Sequence, residues 1–293
     1  MLSASGLRRT FGDKVAVNSV SFDVPDGRMV GFVGGNGAGK TTTMRMLMGV
    51  LEADEGEVLF DGQPVTAEQR AQIGYMPEER GLYPKQSLVS QIAYLGELKG
   101  LSRREAKSEA SKQLERFDLG DRQDDLLESL SLGNQQRVQI VAAVIGEPIA
   151  LILDEPFSGL DPTAIDEMAG VLRELTATGV PVLFSSHQLD LVDRLCDEIV
   201  VLAKGQVVAQ GTVEELRETG PNRYRVATVG AADWVQTLFG DRVVDRDADG
   251  ATVELHDNDA PEEFLRAAVE HGSVTEFTRI RPTLTDIYQE VTS

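Results

Sequence analysis

Eight consecutive residues, Gly34-Gly35-Asn36-Gly37-Ala38-Gly39-Lys40-Thr41, fit the pattern G-x-x-x-x-G-K-[ST], in which each residue type has a task in holding phosphate. Glycines let the backbone curl so that successive N–H groups face one anion, and a helix start adds partial positive charge. Lys40 would then reach the β- and γ-phosphates of ATP, and the Thr41 hydroxyl would ligate Mg²⁺. Gly34, Asn36, Gly37, Ala38, Gly39, Lys40, Thr41 and the following Thr42 are the candidate nucleotide-binding residues. Far downstream, the apolar run Leu151-Ile152-Leu153 ends in Asp154 and Glu155. By itself such an acidic pair reads as a solvated loop. With a phosphate loop upstream, Asp154 becomes a candidate for the Mg²⁺ shell and Glu155 for polarising the water that attacks the γ-phosphate.

These groups need a scaffold that joins a strand end, a glycine loop and a helix start. Met29 to Val33 is a short strand-like run leading straight into the glycines, and TTTMRMLMGV from Thr41 onward reads as a helix. Ala150 to Leu153 and Val180 to Ser185 are apolar without alternation, the pattern of parallel strands covered on both faces. Pro162 to Ala177, between them, reads as a crossover helix. Residues 15–24, VAVNSVSFDV, alternate as a half-buried strand would, with a turn at Pro25, Asp26 and Gly27. Segments 87–99 and 102–117 read as helices inserted into this frame, within a helical subdomain of about residues 85–145.

A helical stretch at 212–219 leads to the breaker pair Gly220-Pro221, which divides the chain into domains 1–219 and 220–293. The second domain reads as strand 223–229, helix 231–239, strands 242–247 and 251–256, helix 260–271, strand 273–280 and helix 283–291. That order, βαββαβ with a final helix, is the order of a small α+β ferredoxin-like unit.

Composition excludes several function classes. With 293 residues, 41% hydrophobic and 26% charged, the chain has the make-up of a folded globular protein. The formal net charge of -20 repels a nucleic-acid backbone, so no nucleic-acid partner is expected. It equally repels ATP, so a nucleotide site must rely on local cations, oriented N–H groups and a metal. Cys196 is the only cysteine and reads as a small buried residue on a helix; no intrachain disulfide can form. The opening MLSASGLRRTF lacks the apolar run of a signal peptide, and no segment approaches the ~20 apolar residues of a membrane helix. A membrane, if involved, is expected to be spanned by another chain.

A third element gives these motifs a common context. Leu130-Ser131-Leu132-Gly133-Asn134-Gln135-Gln136-Arg137 precedes the acidic strand, and with it the sequence resembles the ATP-binding cassette (ABC) family of ATPases. The element is similar to the family's LSGGQ loop, departing at Leu132 and Asn134 while keeping Ser131 and Gly133. Alone, it would read as a helix start capped by Ser131. Ser158-Gly159-Leu160-Asp161 resembles the D-loop, and His187, after the strand VLFSS, resembles the switch histidine that senses the γ-phosphate; a structural hydrogen-bonder is the other reading of such a histidine. Phe11 stands where the family places a ring that stacks on adenine, with plain core as its alternative. Residues 73–84 resemble the Q-loop, with Glu78 in place of the usual glutamine. A carboxylate there can still accept from Mg²⁺-bound water, and a solvated acidic turn is the competing reading.

The resemblance covers residues 1 to about 215. It implies a P-loop NTPase fold with a RecA-like parallel core, an antiparallel β subdomain and a helical subdomain. It also implies ATP and Mg²⁺ as cofactors, with catalysis by Lys40, Glu155 and His187. Thr41, Asp154 and Glu78 would serve the metal. In such a fold Ser131 and Gly133 reach the nucleotide of a second copy, so two chains pair head to tail. Grooves near 81–98 would pass the movement to separately encoded integral-membrane subunits, placing the chain at the cytoplasmic face of a cell membrane. The C-terminal unit, ending Arg281-Pro282-Thr283-Leu284-Thr285-Asp286-Ile287-Tyr288, is similar to the appendage of bacterial drug- or sodium-efflux ATPases, which points to an exporter. Two alternatives stand beside it. One is a soluble ABC-type ATPase in ribosome regulation, cofactor assembly or chromosome maintenance, although the chain has neither a second cassette nor a long coiled coil. The other is a nucleotide-binding regulator without turnover.

Overall fold

The apolar runs without alternation form the centre of a mixed sheet, covered on both faces. The computed structural model describes residues 1–292 except Arg80, 220–221, 230–232, 248–249 and 257–258. Contacts divide the chain into two units, 1–213 and 214–291. The expected boundary pair Gly220-Pro221 lies outside the described residues, as do the first two positions of the helix expected at 231–239.

In chain order, the first unit opens with β1 (Leu2–Phe11), β2 (Lys14–Val24) and β3 (Met29–Val33), followed by α1 (Lys40–Leu47). Next come β4 (Glu55–Phe60), β5 (Gln63–Pro64), α2 (Ala67–Gln72) and β6 (Gly74–Met76), then α3 (Leu88–Leu98), α4 (Arg103–Arg116) and α5 (Leu132–Val144). The unit closes with β7 (Leu151–Leu153), α6 (Pro162–Ala177), β8 (Val182–Ser186), α7 (Leu189–Leu195), β9 (Glu198–Ala203) and β10 (Gln206–Thr212). Among the described residues these strands make two sheets. One is antiparallel, in the order β2-β1-β4-β5; the other runs β10-β9-β3-β8-β7-β6. In the second sheet β9, β3, β8, β7 and β6 are parallel, and β10 closes one edge antiparallel to β9.

Local chemistry explains several element ends. Strand β8 begins at Val182 rather than at the expected Val180, just past Pro181, which has no N–H to give a ladder but accepts from the Leu151 amide. The Asp161 carboxylate accepts from Ala164 N–H, and Pro162 stands at the first position of α6, where a missing N–H costs nothing. Ser102 and Glu105 form a reciprocal capping box at the start of α4. Of the antiparallel sheet, only the stretch 15–24 is legible in the sequence; β1, with its register shifts against β2, lacks clean alternation. Cys196 lies just past α7 instead of on it. Its sulfur packs beside Gly31, and burial pushes the thiol pKa well up.

The second unit carries α8 (Val213–Thr219), β11 (Arg223–Thr228), α9 (Asp233–Phe239), β12 (Val243–Arg246), β13 (Gly250–Glu254), α10 (Pro261–His271), β14 (Val274–Ile280) and α11 (Leu284–Thr292). Its sheet order, β12-β13-β11-β14, is fully antiparallel and is that of a ferredoxin-like βαββαβ unit. Phe264 is the centre of its core, meeting the rings of Trp234, Phe239 and Phe277. On the other sheet face Arg225 pairs with both Asp247 and Glu276.

The contact between α5 and β6 is close enough to require glycine. A Cβ on Gly74 would fall inside the contact distance of the Ala143 carbonyl oxygen and of Leu151 Cδ2. We expect Gly74→Ala to destabilise the first unit by about 1–3 kcal/mol through overpacking, measured as a lower urea midpoint.

Candidate functional site

The loop between β3 and α1 starts from a strand buried along its whole length. Gly34 passes so close to the Leu202 carbonyl that a side chain would strike it, and Gly39 holds φ 109° at the helix cap. Backbone bonds from Ala38 N–H to Gly35 O (3.1 Å) and from Gly205 N–H to Ala38 O (3.0 Å) pin the loop. The Lys40 ammonium lies over it, donating to the carbonyls of Gly34 at 2.6 Å and Gly35 at 3.4 Å.

This loop forms one wall of a cavity of about 450 Å³. The same cavity is lined by Thr41 and Thr42, by Glu78, by Asp154 and Glu155, and by Phe11. Phe11 is 49% exposed, so it is not core. The Arg9 guanidinium sits 5.2 Å from its ring centroid and is itself held by Asp54 at 2.8 Å. A further cation, Lys14, lines the cavity as well, a role that a lysine at a strand start does not signal in the sequence.

Asp154 is buried, and its two oxygens differ. Oδ1 accepts from Ser185 Oγ at 2.5 Å, while Oδ2 is buried without a hydrogen-bond partner among the described residues. An unsatisfied carboxylate oxygen in a cavity beside a threonine is the kind of donor a hard cation takes. Among the described residues no cluster of three or more His, Cys, Asp or Glu side chains stands ready to hold a metal. Sparse protein ligation of this sort suits Mg²⁺, which keeps waters and phosphate oxygens in its shell.

Glu155 adopts φ 52°, a left-handed backbone conformation that costs a residue with a side chain about 1–3 kcal/mol. Three contacts hold it there. Its N–H donates to Ser185 Oγ at 2.8 Å, its carbonyl accepts from Gln136 Nε2 at 3.0 Å, and its carboxylate meets His187 Nδ1 at 3.0 Å. Burial raises the Glu155 pKa above the ordinary glutamate value, with the His187 bond and the Lys40 charge pulling the other way.

Ser131, Gly133, Asp161 and His187 do not line the cavity. Ser131 caps α5 by accepting from Asn134 N–H at 3.4 Å and is exposed, and Gly133 lies beside Leu160. Asp161 caps α6, and His187 reaches the site only through Glu155. Ser185 and Gln136 are the residues of the site that no local pattern marks. Both stand inside quoted motifs, and only the adjacency of β7 to β8, and of α5 to the loop after β7, gives them their partners.

Removing the Ser185 hydroxyl would strip the one partner from Asp154 Oδ1. We expect Ser185→Ala to raise the Mg²⁺ concentration needed for half-maximal ATP hydrolysis by roughly tenfold, in line with the ~1–3 kcal/mol cost of unpairing a buried polar group. Metal-free nucleotide binding, followed by fluorescence titration, should change little.

Residues 17–158 match the family model described as ABC transporter, and residues 211–292 match that of the ATP-binding protein DrrA1-3-like, C-terminal domain. The chain is 39% identical to the uncharacterized ABC transporter ATP-binding protein YhaQ of Bacillus subtilis, over 99% of this chain and 98% of that protein. It is 32% identical to the daunorubicin/doxorubicin resistance ATP-binding protein DrrA of Streptomyces peucetius, over 99% and 92%. A solved structure described as the ATP binding subunit of an ABC transporter superposes with a TM-score of 0.69 at 34% identity, covering 74% of this chain and 92% of that one. With the phosphate loop, the buried acid and the parallel core in one arrangement, the chain belongs to the ATP-hydrolysing, ATP-binding subunits of ABC transporters.

Proposed function

We propose that this ATPase drives an exporter, with two copies pairing head to tail around ATP and acting through separately encoded membrane subunits at the cytoplasmic face of the membrane. One observation carries the pairing: the cavity holds the phosphate loop, the acids and Phe11, while Ser131 and Gly133 are kept away from it on the same chain. Residues that serve a nucleotide from outside the cavity must come from a second copy. Export is supported by the C-terminal match and by the drug-resistance protein among the relatives. No helix among the described residues is long and apolar enough to cross a membrane, in keeping with a chain that reaches one through other subunits.

In this reading the loop amides and Lys40 hold the phosphates, with the ring of Phe11 against the adenine. Thr41 and Asp154 Oδ2 would hold Mg²⁺, and Glu78, on the same cavity wall, would accept from its bound water. When bound there, the metal would supply charge neutralisation at the phosphate oxygens. Glu155 takes the proton of the attacking water, and His187 fixes the orientation of its carboxylate. Asp161 lies in the loop that faces the second copy. A γ-phosphate bonded from both copies ties them together, so its hydrolysis removes contacts that only the closed pair makes and the pair opens.

Replacing Glu155 by Gln keeps the shape and removes the base. We expect ATP binding to persist, an ATP-bound dimer to accumulate in size-exclusion chromatography, and turnover to fall about 10²–10⁴-fold. Lys40→Ala should instead abolish nucleotide binding in calorimetry. Because burial raises the Glu155 pKa and only the carboxylate accepts a proton, kcat should fall as pH drops through a value above the ordinary glutamate range. That acid limb should vanish from the residual activity of Glu155→Gln. Extraction of the tagged chain in mild detergent tests the transporter assignment: a membrane-spanning protein should accompany it, and a ribosomal or other soluble partner in its place would favour the soluble branch of the family.

A further inference from the structure

Among the described residues, six other than glycine adopt a left-handed backbone: Ser19, Asp61, Asp118, Glu147, Glu155 and Lys204. Five of them are exposed, and Glu155 alone is partly buried. Its place in the chain opposes that conformation. Strand β7 runs into this turn, and a residue before proline, as Glu155 is before Pro156, is pushed by the proline ring towards extended backbone. Left to local preference, residue 155 would continue the strand, so its φ of 52° is imposed by contacts from elsewhere.

Gln136 is placed to impose it. It lies early in α5, is only 7% exposed, and its Nε2 donates to the Glu155 carbonyl at 3.0 Å and to the Pro156 carbonyl at 3.1 Å. Carbonyl oxygens can be met only by the nitrogen of the side-chain amide, whose two N–H donors are both committed here. On the other side of residue 155, its own N–H donates to Ser185 Oγ at 2.8 Å. The two contacts bracket φ and ψ: Ser185 holds the peptide before residue 155 and Gln136 the peptide after it. The Glu155 carbonyl also accepts from Ser158 N–H at 3.2 Å, but that bond lies within the turn and moves with it. Gln136 ties the turn to a helix. Since φ and ψ set the direction of the side chain, these contacts decide whether the carboxylate reaches the cavity and His187 Nδ1, 3.0 Å away.

We propose that Gln136 is a positioning residue for ATP hydrolysis, holding the peptide after Glu155 so that the carboxylate points into the cavity of the phosphate loop. The proposal rests on the reading of Glu155 as the base and names what aims it. Gln136 itself is not among the residues that line the cavity, so it acts only through Glu155.

Gln136→Met keeps the length of the side chain and removes its donors. Steady-state assays should show kcat lower by roughly tenfold to a hundredfold, the effect of a misplaced reacting group, with KM and calorimetric ATP affinity within about twofold of the unsubstituted chain. Gln136→Glu sets oxygens against oxygens and should lower kcat at least as far. Retained ATP affinity shows that each variant is folded. A second measurement needs no nucleotide. With Gln136 in place, Glu155→Gly should have a higher urea midpoint than Glu155→Ala, because glycine adopts a φ of 52° without strain. Combined with Gln136→Met, residue 155 is free to become extended, and the two midpoints should meet or change order. An equal advantage of Glu155→Gly with and without Gln136, or a kcat within about twofold of the unsubstituted chain in both Gln136 variants, would overturn the proposal. If Glu155→Gln has meanwhile lost turnover, the base reading stands and only the role of Gln136 falls. Near-normal turnover by Glu155→Gln would remove the base reading and this proposal with it.

Discussion

The site depends on the placement of one strand. β8 lies between β3 and β7 in parallel register, with Val33 opposite Ser186 and Leu153 opposite Phe184. Strands lie about 4.8 Å apart, so the phosphate loop after β3 and the acids after β7 are separated by roughly 10 Å, the width of one intervening strand. The end of β8 falls in that gap and presents hydroxyls, then an imidazole. Open parallel sheets bind ligands beyond the carboxyl ends of their strands because the chain leaves the ladder there and its polar groups become free.

Strand burial constrains the chemistry as well as the geometry. The apolar bodies of β3, β7 and β8 shut water away from the acids at their ends, and a carboxylate in such surroundings needs partners. Ser185 meets this need with one hydroxyl, donating to Asp154 and accepting from the Glu155 amide. One oxygen of Asp154 is thereby fixed and the other left free to face a cation. At Glu155 a strained backbone turns the side chain towards His187, and Gln136 at the start of α5 clasps the following carbonyls of Glu155 and Pro156. The helix that Ser131 caps and Gly133 opens is therefore tied, within one chain, to the loop bearing Glu155.

The same economy of charge runs through the first unit. Against an acidic background, cations stand at particular places. Lys40 and Lys14 line the cavity of the phosphate loop, Arg9 backs Phe11, and Lys99 lines a separate apolar cavity between β6, α3 and α5. The first three lie in or beside the cavity of the phosphate loop. Lys99 is surrounded by aliphatic and aromatic walls, and burial there lowers its pKa to about 8.

What the sequence determined by itself was local. The glycine-rich loop, the apolar runs that lack alternation, the helix from Pro162 and the strand and helix order of the second unit all follow from periodicity and residue type over a few neighbours. The ordered motifs were sufficient to indicate the family and to name the loop, Asp154 and Glu155. Tertiary structure decided the pairings. Asp154 and Ser185 lie 31 positions apart, and Gln136 and Glu155 lie 19 apart. A serine after an apolar strand carries no mark of the acid it will meet until β7 and β8 are known to be neighbours. Only the folded chain could distinguish Phe11 at a rim from Phe11 in a core, Cys196 after a helix from Cys196 on one, and a lysine with a partner from Lys99 without one. Burial and adjacency are properties of the packed structure, since they depend on what lies across the sheet or beneath the helix, and no window of sequence contains both sides.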